Sequence, residues 1–338
     1  MQILNSLLLF AAQTSFIVIA ILVVVFVIAI LITRGRFKPE LDVQDLGENF
    51  LHFKEILEFE TLDKKKFKMK QKQEKKELKK LAKKPEEPKR KIFVLDFEGD
   101  LKASAVESLR QEISAILQVA TKQDEVLLRL ESPGGMVTGY GLAASQLMRL
   151  REKSIKLVVS VDKVAASGGY MMACVGNQII GAPFAVFGSI GVVASLPNFH
   201  TLLKKNDIRY EEVTAGEYKR TVSVLGEITE KGMEKFKAQL EETHVLFKSF
   251  VGENRPSLNL SEVATGEHWY GTQALKLGLI DHIQTSDDYL LAQIKVAKLL
   301  KVKFNHKKHF SERLSSGISQ VLNLSLEKFI FKTNQIRH

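Results

Sequence analysis

Apolar residues dominate the start of the chain, where the first 33 residues contain no charged side chain and 16–33 are nearly all Ile, Val, Ala, Leu and Phe. About twenty apolar residues, each rising ~1.5 Å along a helix, cross a hydrocarbon core of ~30 Å. We therefore predict a transmembrane helix over 14–33, within an N-terminal anchor of residues 1–33. A cleaved secretory signal normally has a positively charged start and an apolar core of about 7–15 residues, and this segment has neither.

From residue 92 onward, short apolar runs alternate with segments whose apolar positions recur at helical spacing. The pattern predicts strands at 92–97, 125–130 and 156–161, separated by helices at 105–119 and about 139–151. Strands that alternate with helices are typical of an α/β fold with parallel pairing and right-handed crossovers. A domain over 92–285 is predicted, and this length is sufficient to enclose a core.

The composition changes abruptly between these two parts, since 64–91 contains about fifteen lysines or arginines and few apolar residues. This segment contributes much of the net charge of +10. It cannot bury a core, so residues 34–91 are predicted to be a polar linker that contains a solvated helix or a disordered stalk. Its charge favours anionic lipid headgroups, at about 1 kcal/mol per basic residue near the surface. Nucleic acid is not a predicted partner, because aromatic residues are few and no binding module is recognisable.

The C-terminal tail, residues 286–338, has one apolar helical face that is interrupted by a serine at position 325. The apolar positions are Leu314, Ile318, Val321, Leu322, Leu326 and Phe329. A stripe of this kind predicts a helix that packs on another surface. We expect that surface to be the domain or a neighbouring subunit, and the membrane surface is the alternative.

Candidate chemistry gathers at the carboxyl ends of the predicted strands, where α/β folds usually bind ligands. Ser167 precedes two glycines at a predicted helix start, where free N–H groups and the helix dipole favour negative charge. Gly134 and Gly135 lie in a strand-terminating turn whose N–H groups suit an oxyanion hole. Each feature also has a plainer interpretation, as a capping serine and as a simple turn.

A lysine, Lys219, follows Ser167 by 52 positions (219 − 167). A serine hydroxyl is a poor nucleophile unless a neighbouring base removes its proton, and a buried lysine can be that base. Lysine ordinarily titrates near pH ~10.4, so a lysine base must be desolvated to be neutral at pH 7. Part of this dry setting is expected from nearby side chains, namely Tyr218, Val222, Val224 and Leu225.

Other catalytic centres are not predicted. The eight histidines, including His200, His244 and His268, lie outside any glycine-flanked serine segment, which argues against a Ser/His site. Cys174 is the only cysteine and lies in an apolar segment, so it is predicted to be a small core residue. No disulfide within the chain is possible, which leaves the redox compartment undetermined. The sequence shows no metal-ligand spacing, phosphate-binding loop or dinucleotide fingerprint, so neither a metal nor a cofactor is predicted.

Six segments, taken in order, resemble the motifs of the signal peptide peptidase A family of bacterial serine peptidases. They are 131–135 (ESPGG), 164–170 (VAASGGY), 188–191 (GSIG), 216–220 (GEYKR), 266–274 (GEHWYGTQA) and 278–281 (GLID). The resemblance covers nearly all of residues 1–290, and the combination of motifs is highly specific.

The resemblance implies a role for each matching residue. Ser167 is implied as the nucleophile, Lys219 as the general base, Ser189 as an auxiliary serine that orients the lysine ammonium, and the N–H groups of Gly134 or Gly135 with Gly168 as the oxyanion hole. The implied fold is like that of the Clp protease and crotonase superfamily, a spiral of ββα units. Relatives assemble into homo-oligomers in which serine and lysine can come from adjacent subunits.

The predicted function is that of a serine endopeptidase anchored by a single helix in the bacterial inner membrane. Its expected substrates are peptides, such as signal-peptide remnants or unfolded membrane-proximal chains, cleaved through an acyl-enzyme. Arg34, Arg36 and Lys38 follow the apolar helix and place the remaining chain in the cytoplasm by the positive-inside rule. The family resemblance suggests the opposite side, so the side stays open. The alternative hypothesis is a catalytically weak scaffold or membrane quality-control adaptor, against which the intact Ser167 and Lys219 argue.

Overall fold

The computed structural model describes residues 13–24, 40–81 and 90–305. The chain divides into two units, of which the larger is Val43–Phe304. The described part of the other unit includes residues 13–24, which are helical and exposed. The rest of the transmembrane helix predicted over 14–33 lies outside the described residues, as does the predicted tail face at 314–329. Within the described ranges, no helix has the length and apolar character needed to cross a membrane.

The main sheet has seven strands in the spatial order β1-β10-β2-β3-β4-β6-β9. The strands are β1 (Leu41–Asp45), β2 (Arg90–Glu98), β3 (Glu125–Glu131), β4 (Lys156–Val161), β6 (Gln178–Gly181), β9 (His282–Ile283) and β10 (Ala297–Phe304). From β10 to β9 every neighbouring pair is parallel. Parallel sheets are covered on both faces, and this explains why the central strands are nearly continuous apolar runs.

The described residues of the larger unit form ten helices. They are α1 (Leu46–Thr61), α2 (Lys64–Leu81), α3 (Val106–Val119), α4 (Val137–Glu152), α5 (Gly168–Ala173), α6 (His200–Lys205), α7 (Glu230–Asn254), α8 (Leu260–Val263), α9 (Gly271–Lys276) and α10 (Ser286–Gln293). One face of the sheet packs against Tyr289 and Leu290 of α10, with Phe50 of α1 at its edge. On the other face Phe97 contacts the ring of Tyr140 in α4.

A second, three-stranded sheet lies at the carboxyl ends of the main strands. It consists of β5 (Val164–Ala166), β7 (Val186–Gly188) and β8 (His268–Tyr270). Strands β5 and β7 are parallel, and β8 is antiparallel to β7. The bridge between Ser132 and Ala165 connects this small sheet to the end of β3. Along the chain, β4 and β6 enter the main sheet and are each followed by a strand of the small sheet.

The mixed α/β fold with a parallel sheet is confirmed. The predicted strands at 92–97, 125–130 and 156–161 correspond to β2, β3 and β4, and the two predicted helices correspond to α3 and α4. The main sheet also contains β1 and β10, so the compact unit extends beyond the predicted domain of 92–285 at both ends.

The predicted polar linker, 34–91, contains two helices, α1 and the lysine-rich α2. Lys70 of α2 pairs with Glu58 of α1 at 2.8 Å, and the rings of Phe59 and Phe67 pack edge to face. A helix is therefore present over Lys64–Leu81, and the part of the lysine-rich segment at 82–89 lies outside the described residues.

Candidate active site

Ser167 occupies a strained turn between β5 and α5. Its backbone has φ 53° and ψ −118°, a conformation that a residue with a side chain rarely adopts. The Ser167 N–H donates to the Gly188 carbonyl at 2.8 Å, and its carbonyl accepts from the Met171 N–H at 3.0 Å. The hydroxyl makes no capping hydrogen bond to α5. Backbone strain of this kind is found at functional sites. The plainer interpretation of Ser167 as a capping serine does not apply, because its Oγ does not cap α5.

The turn that contains Gly134 packs directly against Ser167. Gly134 has φ +92°, and a Cβ atom at this position would lie 2.7 Å from the Ser167 Cβ and 2.8 Å from the Gly168 nitrogen. A Cβ on Gly168 would lie 2.4 Å from the Tyr140 ring, and one on Gly135 would lie 2.3 Å from the Leu101 carbonyl oxygen. The two glycine-containing turns are therefore in contact, and the side-chain-free positions permit that contact.

The backbone N–H groups of these turns are not equivalent. The Gly134 N–H donates to the Ser132 hydroxyl at 3.1 Å. Within the described ranges, no hydrogen bond uses the N–H of Gly135 or of Gly168. Both groups are therefore available backbone donors near Ser167, and they are of the kind that stabilises an oxyanion.

A buried hydrogen-bond chain supports the Gly134 turn. The Ser132 and Tyr140 hydroxyls are 2.6 Å apart, and the Tyr140 hydroxyl donates to the Asp100 carbonyl at 2.8 Å. Burial raises the pKa of Tyr140, so its hydroxyl keeps the proton that it donates. These hydrogen bonds were not predicted from the sequence. Tyr140 looks like one more apolar position of α4, and its sequence neighbours do not indicate that its hydroxyl bonds to Ser132 and Asp100.

Ser189 lies at the same end of the small sheet as Ser167. Ala166 and Gly188 are paired in register across β5 and β7, so Ser167 and Ser189 each follow a paired residue. Ser189 also has a positive φ, 51°, and its N–H donates to the Glu267 carbonyl at 2.6 Å. The fold thus brings together the two glycine-flanked serines that are 22 positions apart in sequence.

Lys219 lies in an irregular segment between α6 and α7, and its side chain is exposed. Its N–H donates to the Gly216 carbonyl at 3.1 Å, and no hydrogen bond of the described chain joins Lys219 to Ser167 or Ser189. The prediction that neighbouring side chains shield Lys219 from water is wrong for the single chain. Tyr218 is itself 45% exposed, and its ring lies beneath Lys231 and Lys235. The segment packs too little of its surface against its own domain to desolvate an amine.

The structure also shows the environments of two histidines and of the cysteine. His268 is exposed in β8, and the His244 ring lies 3.2 Å from the Ile190 carbonyl and 3.1 Å from the Ala264 carbonyl. Cys174 is buried, as predicted, and burial raises the pKa of its thiol to about 12. Such a thiol is an inert core group rather than a nucleophile.

Comparison with known proteins gives a family. The model of the peptidase family S49 N-terminal region matches residues 2–147, and that of peptidase family S49 matches residues 149–302. A probable protease SohB of Haemophilus influenzae is 56% identical over 280 residues, covering 80% of this chain and 79% of the relative. A probable protease SohB of Buchnera aphidicola subsp. Acyrthosiphon pisum is 55% identical, covering 73% of this chain and 74% of the relative.

A weaker likeness is found among solved structures. The membrane-bound stomatin-specific protease 1510-N, in complex with a substrate peptide, is 14% identical with a TM-score of 0.40, covering 69% of this chain and 99% of that one. At this TM-score the likeness assigns no role to any residue.

Proposed function

Since the chain belongs to peptidase family S49, we propose that it is a membrane-anchored serine endopeptidase in which Ser167 is the nucleophile and Lys219 is the general base. The observation that carries the proposal is the strained Ser167 turn, whose hydroxyl is not a helix cap and which lies beside the Gly134–Gly135 turn. A serine presented in this way, next to available backbone N–H groups, suits acyl transfer.

The proposed reaction begins with attack of the Ser167 Oγ on a peptide carbonyl carbon while the neutral Lys219 amine takes the hydroxyl proton. The N–H groups of Gly135 and Gly168 then hold the oxyanion; the Gly134 N–H is the weaker candidate, because it donates to Ser132. The intermediate collapses as the lysine ammonium gives its proton to the departing amine. Water, deprotonated by the same lysine, then attacks the acyl carbonyl carbon; the bond to the Ser167 Oγ breaks, and the lysine ammonium returns its proton to that oxygen. Ser189 is proposed to orient the lysine.

The exposure of Lys219 supports a homo-oligomer. Apolar side chains are exposed along the segment that precedes it, including Val193, Ile208 and Val213, the last of which is 97% exposed. Exposed apolar patches of this kind mark interaction surfaces, and a lysine base needs desolvation. We infer that a second copy covers this segment and that each active site combines the serine of one subunit with the lysine of its neighbour.

Membrane attachment and the finer fold are part of the same proposal. The apolar helix over 14–33 is proposed to anchor the chain in the bacterial inner membrane, with the lysine-rich segment near anionic headgroups. The fold is proposed to be a spiral of ββα units. It is supported by the alternation of β4, β5, β6 and β7 between the two sheets. Peptides or unfolded membrane-proximal chains are the proposed substrates.

Hydrolysis of unfolded casein by the detergent-solubilised full chain tests the dyad. We expect activity in the wild type and in a Lys205→Ala control, which removes another exposed lysine of the same region. Ser167→Ala and Lys219→Ala are expected to be inactive. Full activity of Ser167→Ala would refute the proposed nucleophile, and an inactive wild type would favour the scaffold hypothesis.

Co-expression of Ser167→Ala with Lys219→Ala tests the shared site. If each site takes its serine and lysine from adjacent subunits, random mixing gives about one quarter of interfaces an intact pair. Isolation through a tag on each variant removes complexes that contain a single variant, so the purified complexes should regain about a quarter to a half of wild-type activity, the larger share applying to a dimer. Mixed complexes that stay inactive would contradict the shared site and leave the dyad itself untouched.

A further inference from the structure

A polar cleft of about 280 Å³ lies at the carboxyl ends of β2, β3 and β4. Val94, Leu127 and Val158, one from each of these strands, belong to the apolar cluster that includes residues of α10. Successive side chains of a strand alternate between the two faces of the sheet, so the residues two and four positions further along also face α10. Ser286 and Asp287, at the start of α10, line the other side of the cleft.

The row of side chains that follows the apolar cluster on this face is polar. Asp96 is in register with Arg129, and Arg129 is in register with Ser160. The Arg129 Nε donates to one Asp96 oxygen at 2.6 Å, and the Nζ of Lys301 in β10 lies 2.7 Å from the other. The covered faces of a parallel sheet are ordinarily apolar. A charged row in this place therefore favours a binding site over simple core packing.

Ser160 is the buried polar residue on the sheet side of the cleft. It is only 1% exposed, and its hydroxyl has no hydrogen-bond partner among the described residues. Buried hydroxyl groups in proteins nearly always have a partner. Because Ser160 lines the cleft, a ligand that enters the cleft can supply the missing hydrogen bond.

The cleft is acidic, although the whole chain has a net charge of +10. Glu131 pairs with Lys163 at 2.9 Å, whereas Glu98 and Asp287 are exposed and form no ion pair or hydrogen bond with the rest of the described chain. The lining contains five carboxylates and two cations, a formal balance of −3 (2 − 5), and these residues are Asp96, Glu98, Glu131, Asp162, Asp287, Arg129 and Lys163. A ligand of this cleft should therefore carry positive charge.

The spacing of the carboxylates favours an extended organic cation over a metal ion. Neighbouring strands are ~4.8 Å apart, so Glu98 at the end of β2 and Asp162 after β4 are about 10 Å apart across the sheet. Metal ions bind oxygen ligands at about 2.0–2.6 Å, so one ion cannot use both carboxylates. An aliphatic chain with an ammonium group at each end can reach both. The volume, about 280 Å³, is near the lower limit of ~300 Å³ for ligand pockets and suits a small molecule.

We infer that the cleft binds an aliphatic polyamine, with one ammonium group near Glu98 and another near Ser160 and Asp162. The charge of Asp287, on the α10 side, adds to the attraction. The inference goes beyond the proposed peptidase function and does not depend on it, because Ser167 does not line the cleft.

Titration calorimetry of the full chain in a non-ionic detergent, with spermidine as the probe, tests the inference. The wild type is expected to bind one spermidine per chain. Ser160→Ala should weaken binding about tenfold, the usual effect of losing a hydrogen bond to a charged group. Its melting temperature without spermidine should be unchanged or higher, since the hydroxyl has no partner there. Glu98→Gln and Asp287→Asn should each weaken binding about two- to fivefold.

Asp288→Asn is the matched control, because it makes the same change as Asp287→Asn at the next position of α10, outside the lining. It should bind spermidine as the wild type does, and so should Ser167→Ala. Equal affinities in the wild type and the Ser160, Glu98 and Asp287 variants would overturn the inference. Displacement of spermidine by an equal concentration of Mg²⁺ would also overturn it, in favour of a metal site. A blocked Gly-Lys-Gly peptide that binds as tightly as spermidine would overturn the choice of a polyamine, in favour of a lysine side chain.

Discussion

Gly134→Ala is the substitution whose effect follows most directly from the geometry of the site. The added Cβ would lie 2.7 Å from the Ser167 Cβ, whereas ordinary contacts begin near 3.4 Å. The difference, about 0.7 Å (3.4 − 2.7), must be taken up by movement of one turn relative to the other. The positive φ of Gly134 adds backbone strain. Backbone on both sides of the contact makes relaxation costly, because the Ala166 oxygen and the Gly168 nitrogen are each 2.8 Å from the added atom.

The expected result is a loss of catalysis that exceeds the loss of stability. A misplacement of about 1 Å in a reacting group can cost about 100-fold, which corresponds to about 2.7 kcal/mol in transition-state stabilisation. We therefore expect kcat/KM for a fluorogenic peptide to fall about 100-fold in Gly134→Ala. The melting temperature of each preparation is measured in parallel, so that unfolded protein is not counted as inactive enzyme.

Gly252→Ala provides the matched control for this experiment. It makes the same chemical change in α7, where the added Cβ would lie 3.0 Å from the flexible Cδ1 of Leu260. Its kcat/KM should equal that of the wild type within a factor of about two, since the contact is with the end of a side chain. If Gly134→Ala keeps kcat/KM within about threefold of the wild type, the contact between the two turns does not position Ser167 as described.

Two further predictions concern stability, and urea unfolding measures both. Burial, with the nearby Asp96 charge, raises the pKa of Glu112 from 4.5 to about 7. Because the folded-state pKa is the higher one, its stabilising contribution is present below about pH 4.5 and is lost as pH rises through 7. The unfolding free energy of the wild type should therefore fall between pH 5 and pH 8, and Glu112→Gln should reduce this fall by up to about 3 kcal/mol. The control Glu107→Gln changes an exposed residue and should leave the fall unchanged. Equal falls in the wild type and both variants would contradict the raised pKa of Glu112. Arg255→Ala should cost about 3 kcal/mol, because the Arg255 guanidinium is nearly buried and donates to both carboxylate oxygens of Asp281 at 2.8 and 3.0 Å; a cost below about 1 kcal/mol would mean that water replaces the pair.

The central part of the fold could be predicted because its strands are buried on both faces. The runs at 92–97 and 125–130 contain few polar residues, and the intervening segments have helical periodicity, so local pattern and final structure agree. Strand β10 was not predicted, since its lysines make it look like a surface segment and its partner β2 lies about 200 residues earlier. Strands β5, β7 and β8 have three residues each, too few to show any period.

The candidate site was predictable only in part, because some of its contacts join residues that are distant in sequence. Glycines around Ser167 and Ser189 mark places where backbone must come close, and the fold uses them in that way. The support from Tyr140 depends on contacts with Ser132 and the Asp100 carbonyl that only the folded chain creates. The environment of Lys219 could not be predicted from its neighbours in sequence. Residues 211–220 are all exposed in the single chain, so this segment does not shield the Lys219 amine from water.

Covalent labelling of the full chain with a serine-reactive fluorophosphonate, followed by peptide mapping, tests the central claim most directly. The account predicts that the label adds to Ser167 in the wild type and that labelling slows at least 100-fold in Lys219→Ala, because the base that activates the hydroxyl is gone. Lys205→Ala should label at the wild-type rate. Labelling of another serine, or equal labelling of Ser167 with and without Lys219, would contradict the account.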